Sequence, residues 1–134
     1  MSYKINVGKR GEAIAAEYLE KNGYTVTARN LRVSHDEIDI IAEDDGHIVF
    51  VEVKARAQTR GNLRFGRPCM AVDYRKKQKL LRCVSEYIRR EKTTKTPRID
   101  VVEVYFPPID EDTPIDVSAL LPTKINHIRN AVHK

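Results

Sequence analysis

Apolar positions change period along this chain, and each change marks an element. Over residues 7–22, Gly11, Ile14, Ala15, Tyr18 and Leu19 recur at three- and four-residue spacing, the stripe of an amphipathic helix that ends at Gly23. Residues 38–42 and 48–54 are short apolar runs with the Asp45-Gly46 hairpin signal between them. Helical spacing returns over residues 71–90. There Lys77, Leu80, Leu81, Val84, Tyr87 and Ile88 form one side, and Arg75, Lys76, Lys79, Arg82 and Arg89 point largely outward. Residues 98–106 read as a strand with Val102, Val104 and Phe106 on one face, Ile99, Val101 and Tyr105 on the other, and Pro107-Pro108 as its stop. An acidic, proline-punctuated segment at 109–116, an edge strand at 117–121 and an amphipathic stretch with Ile125, Ile128 and Val132 close the chain. The predicted order is helix, three strands, helix, strand and a variable C-terminal extension over 109–134. This is a single α/β domain over 1–134, a mixed β-sheet flanked by helices.

The hairpin carries the candidate chemistry. A two-residue Asp45-Gly46 loop pairs Asp44 with His47 and sets Asp39 opposite Glu52, whereas a three-residue loop sends the two carboxylates to opposite faces. Glu52 and Lys54 share a face and Val53 takes the other. Solvated charges on an exposed hairpin face would be the ordinary explanation. Against it, facing like charges destabilise a sheet unless a cation compensates, and the flanking Ile38, Ile40, Ile41, Ile48, Val49, Phe50, Val51 and Val53 are apolar on both faces. Two carboxylates and a lysine suit phosphodiester hydrolysis. Mg²⁺ or Mn²⁺ takes oxygen ligands, and a lysine can orient water or stabilise developing charge. Glu12, bordering the first helix's stripe, is the candidate third acid; a favourable charge near a helix N-terminus explains it equally well on local grounds. Asp100 belongs to a different element.

Charge distribution adds a partner class. The chain carries a formal net charge of +5, and from Arg56 to Lys92 it has twelve Lys or Arg against three acids. The first part of that block, over residues 55–70, reads as a long loop rich in Gly and Arg. Adjoining the candidate site, the block resembles a phosphate-backbone footprint, with Arg56, Arg60, Arg64, Arg67, Arg75, Lys76, Lys79 and Arg82 as contacts. Phe65 could stack on a base, although packing of the loop explains it better. Cys69 and Cys83 form no CxxC, and His35, His47, His127 and His133 are scattered, which argues against zinc. With no apolar stretch of membrane-spanning length and no signal-peptide core, a cytoplasmic protein without membrane contact is expected.

Glu12, Asp39 and Glu52-Val53-Lys54, in αβββαβ order, resemble the PD-(D/E)xK, or restriction-endonuclease-like, superfamily that includes archaeal Holliday-junction resolvases. Gly11-Glu12, Glu37-Ile38-Asp39, Val49 to Lys54, Phe65-Gly66 with Pro68, and Ile125-Asn126-His127-Ile128 with Asn130-Ala131 are similar to the small bacterial YraN-like family. The resemblance implies a restriction-endonuclease-like αβββαβ core, with Glu12, Asp39 and Glu52 as ligands of Mg²⁺ or Mn²⁺ and Lys54 as the catalytic lysine. It implies a nucleic-acid phosphodiesterase acting on DNA. The alternative is a non-catalytic nucleic-acid-binding module that serves a DNA-uptake or repair partner. A homodimer is one option under this resemblance, although no residues mark a dimer surface. Asp36 departs from the family pattern, which has glycine there, and adds negative charge near the site.

Overall fold

The structure is a computed structural model and describes residues 3–57, 74–108 and 116–132. Helix α1 (Tyr3–Lys21) is followed by strands β1 (Thr25–Val33), β2 (Asp36–Glu43) and β3 (His47–Ala57), helix α2 (Tyr74–Glu91), strand β4 (Thr96–Phe106), a 3₁₀ turn (Val117–Ala119) and strand β5 (Lys124–Val132). The five strands form one sheet in the order β1-β2-β3-β4-β5. Only β3 and β4 are parallel. Parallel neighbours need a long crossover, which is where α2 lies in the chain. This is the mixed, helix-flanked αβββαβ arrangement anticipated from the periodicity.

The two helices cover opposite faces of the sheet. Ile14, Ala15, Ala16 and Leu19 of α1 pack with Ile40, Ala42, Val49, Val51, Val102, Val104 and Phe106. Leu80, Cys83 and Val84 of α2 pack with Ile41, Ile48, Phe50 and Ile99. Because β3 and β4 are covered on both faces, both their sequences are nearly continuous apolar runs, and the few charges inside them stand out. Helix α1 stops where Gly23 takes a left-handed φ of 91°. Gly23 N–H donates to the Glu20 carbonyl at 3.3 Å and Tyr24 N–H to that of Leu19 at 3.0 Å, the paired bonds of a Schellman cap with Tyr24 buried behind it.

Two elements differ from the sequence reading. Within 117–121, expected as an edge strand, Val117–Ala119 form a 3₁₀ turn and no residue is in a strand. Asp116 starts it locally: its carboxylate accepts from Ser118 N–H at 3.1 Å and its carbonyl from Ala119 N–H at 3.0 Å, and this side-chain capping competes with strand pairing. The edge strand is β5, which pairs antiparallel with β4, so the last part of the supposed variable extension is integral to the sheet. Residues 55–57 also belong to β3 rather than to the loop. Arg60, Arg64, Phe65, Arg67, Cys69, the segment 109–115 and His133 lie outside the described residues.

Candidate metal and nucleic-acid site

The site lies where β2 and β3 part. Their antiparallel register runs from Glu43↔Ile48 to Ile40↔Val51, as the two-residue loop requires. The turn gets there without left-handed residues. Asp44 Oδ1 accepts from Gly46 N–H (3.0 Å) and His47 N–H (2.7 Å), and Asp44 N–H closes onto the His47 carbonyl at 3.1 Å. The next pair would be Asp39 with Glu52, but the backbone ladder ends one step before it. Instead the Asp39 carboxylate accepts from Val53 N–H at 2.8 Å, a side chain replacing a backbone rung. The strands therefore fork with a carboxylate on each branch.

Glu52 is 6% exposed on the α2 side of β3. Two lysines reach it: Lys76 Nζ from α2 lies 3.2 Å from Oε1, and Lys54 Nζ from the same strand 3.7 Å. The nearer cation is Lys76, which the sequence reading assigned to phosphate. Burial alone would lower its pKa, but Glu52, Asp39 and Asp36 together raise it and hold it charged. Asp39 behaves in the opposite way. Burial first, and then the charges of Glu52 and Glu12, push its carboxyl up to about 7 against the pull of Val53 N–H and Lys76. This pair is thus under-neutralised.

Glu12 comes to the fork because α1 lies very close to β3. A Cβ on Gly11 would sit 2.5 Å from the Ala55 Cβ, so only glycine lets the helix settle at this height. Burial raises the Glu12 pKa; Asn30 and Arg29 oppose it, and the charges of Glu37 and Glu52 add to it. Asn30 escaped the sequence reading. It stands inside β1 with a left-handed φ of 52°, an uncommon state for a residue other than glycine. With its amide nitrogen turned toward the acids, it donates to Glu12 Oε2 at 3.0 Å and to Glu37 Oε1 at 3.2 Å. An asparagine in the middle of a strand was the available signal, since such residues are depleted there unless a bulge or local bond holds them.

Glu12, Asp39, Glu52 and Lys54 are thus gathered around one fork, in which the donors are all oxygens, as a hard divalent cation prefers. A cation would relieve the repulsion that raises the Asp39 pKa, so the donor set fits one. As they stand, no three His, Cys, Asp or Glu among the described residues converge closely enough to hold a metal ion. Of the predicted phosphate contacts, Arg75, Lys79 and Arg82 are exposed on α2 and Arg56 follows Lys54 on β3, half-buried beside Tyr105.

A second buried acid lies outside this site. Asp100 of β4 is fully buried and accepts from Arg98 Nε and Nη2 (both 2.9 Å) and Asn130 N–H (3.0 Å), with His127 Nε2 at 2.7 Å. Burial opposes ionisation of its carboxyl, but those partners outweigh it and lower the pKa. Arg98 continues to Tyr24 Oη at 2.7 Å, and His127 Nδ1 lies 3.2 Å from Tyr18 Oη. Asn126 Nδ2 likewise donates to buried Glu103 at 2.9 Å. The Asn126, His127 and Asn130 motif is therefore explained by the acids of β4 and not by the fork.

Residues 11–104 match the model of the Uncharacterised protein family UPF0102. A UPF0102 protein of Caldanaerobacter subterraneus subsp. tengcongensis is 41% identical over 129 residues, 96% of this chain and 95% of that protein. One from Clostridioides difficile is 39% identical over 125 residues, 92% of this chain and 94% of its own. One from Symbiobacterium thermophilum is 48% identical over 99 residues, 73% and 80% of the two chains. The matched span holds both branches of the fork, Glu12, Lys76 and all of α2. Matched through its core and along most of its length, the chain belongs to the UPF0102 family, as its YraN-like motifs anticipated.

Proposed function

We propose that this protein is a Mg²⁺- or Mn²⁺-dependent nucleic-acid phosphodiesterase, an endonuclease acting on DNA in the cytoplasm. The observation that carries this reading is the fork: a carboxylate pair in which burial and the Glu52 charge push the Asp39 carboxyl up to about 7, while Glu52 sits between two lysines. Asp39 and Glu52 would hold the ion, with Glu12 as third donor. Bound there, the ion supplies charge neutralisation at the phosphoryl oxygens and an acidified water. Lys54 orients the water or stabilises the developing charge, and Lys76 holds Glu52 in place through their ion pair. Arg56, Arg75, Lys79 and Arg82, with Arg60, Arg64 and Arg67 from the preceding segment, supply phosphate contacts. The purified protein with Mg²⁺ or Mn²⁺ is expected to cut one of a panel of linear, flapped and four-way DNAs, and Glu52→Gln to abolish the cut. Cleavage of none, with either metal, would refute the reading.

One observation favours a second reading, a nucleic-acid-binding module that does not cleave and serves a DNA-uptake or repair partner. Among the described residues no three candidate ligands converge, and Lys76 and Lys54 already neutralise Glu52. This module would bind DNA with strong salt dependence, and Glu52→Gln would leave that binding unchanged.

A further inference from the structure

The β1–β2 turn and α2 enclose a groove of about 1020 Å³ that no part of the fork occupies. Ser34 and His35 form one wall, and Lys77, Lys79 and Arg82 stand on the other. Cys83 Sγ donates to the Val33 carbonyl at 3.8 Å and ties the walls together. The charges in the groove do not cancel. Its two acids are Glu86, which is taken up by Arg89 at 2.6 Å, and Asp36, which lies within the electrostatic reach of Lys76. Lys77, Lys79 and Arg82 have no ion-pair partner among the described residues. From Lys77 to Arg82 the helix rises about 7.5 Å, at 1.5 Å per residue, which is wider than a single phosphate group.

Position adds the second half of the argument. Asp36 lines the groove and lies within electrostatic reach of Lys76, which in turn sits 3.2 Å from Glu52, so the groove and the fork are neighbours on the α2 side of the sheet. A polyanion lying along Arg82, Lys79 and Lys77 is led to the two carboxylates. The walls select its form. A duplex is a convex rod that would meet only the rims, whereas one strand can lie between the turn and the helix. His35 is exposed and, among the described residues, is the only ring lining the groove, a platform for a base above a phosphate track.

We propose that this groove is a single-stranded nucleic-acid channel, in which Lys77, Lys79 and Arg82 take phosphates, His35 stacks on a base, and the strand is delivered to the Asp39–Glu52 fork. The destination of the strand rests on the nuclease reading; the binding itself does not. Fluorescence anisotropy on the full chain in EDTA, with labelled oligothymidylate, oligouridylate and a duplex of equal length, tests the channel without cleavage. At least one single strand should bind fivefold or more tighter than the duplex. At about 0.7 per contact on single strands, Lys77, Lys79 and Arg82 together account for about −2 of the slope of log K against log salt. Lys79→Glu with Arg82→Glu should weaken binding at least tenfold and make that slope shallower by about 1.4. Lys21→Glu with Arg129→Glu, on other elements, should change it less than twofold. If the reversed pair unfolds, Lys79→Ala with Arg82→Ala replaces it, with a loss of at least threefold expected. Equal or tighter duplex binding, equal losses in the control pair, or an unchanged groove variant would each overturn the channel. Absence of cleavage with binding intact would count against the nuclease reading alone.

Discussion

Asp39 and Asp100 are acids of one sheet, half-buried and fully buried respectively, and their surroundings treat them in opposite ways. Asp100 receives an arginine fork, a backbone N–H and an imidazole, and its pKa is lowered. Asp39 receives one backbone N–H, and loss of water followed by the facing Glu52 carboxylate raises its pKa to about 7. A fully satisfied buried charge tightens a fold, here fastening β5 to β4 through His127 and Asn130. A buried carboxylate left short of partners costs stability and stays available to a cation or a proton. The contrast separates a fully partnered acid from an under-partnered one without reference to any relative.

The largest effect expected from this contrast concerns stability in metal-free buffer. Asp100→Ala strands Arg98 and His127 and should cost about 3–5 kcal/mol by urea unfolding. Asp39→Asn removes a repulsion and should be neutral or stabilising, within about 0.5 kcal/mol of wild type or above it. Equal losses at the two positions would break the comparison. Next, Gly11→Ala should cost about 1–3 kcal/mol by overpacking against Ala55, even though alanine favours a helix over glycine by about 1 kcal/mol. It should also lower any cleavage rate, because Glu12 would move with α1. A Gly11→Ala protein as stable as wild type would mean that α1 does not approach β3 this closely.

A smaller effect is expected with pH. Between about pH 4 and 7 the folded chain retains a proton on Asp39 that the unfolded chain has released, so stability in EDTA should fall as pH rises through this window and level off above it. Asp39→Asn should flatten that slope. Asp100 has the reverse sign: its contribution is present above the ordinary aspartate pKa and is lost as pH falls below it. Melting temperatures from pH 3 to 8 for wild type and Asp39→Asn separate the two contributions. A wild-type slope that survives in Asp39→Asn would assign it to another group.

Much of this contrast was legible in the sequence, and the rest failed for physical reasons. Loop parity at Asp45-Gly46 placed Asp39 across from Glu52 because side chains on a strand repeat every two residues, and the observed register agrees. The fork itself was hidden, since nothing in an apolar run says where a backbone ladder stops. Lys76 reads as one more outward lysine in a basic helix; only the height of α2 over β3 reveals that it reaches Glu52. Asn30 works through a left-handed backbone that has no periodic signature. The 3₁₀ turn at Val117–Ala119 and the strand at Lys124–Val132 were exchanged because one aspartate cap outweighs a short apolar run, and because the polar residues of β5 bind acids of β4.

The most direct test is a titration of Mg²⁺ and of Mn²⁺ against melting temperature at pH 8, in wild type and Asp39→Asn. Metal held between Asp39 and Glu52 should stabilise the wild type progressively, by about 2.7 kcal/mol at one hundred times the dissociation constant, and should leave Asp39→Asn unchanged. Equal metal responses in the two proteins, or none in the wild type, would make the fork a salt-bridged carboxylate pair and contradict its reading as a metal site.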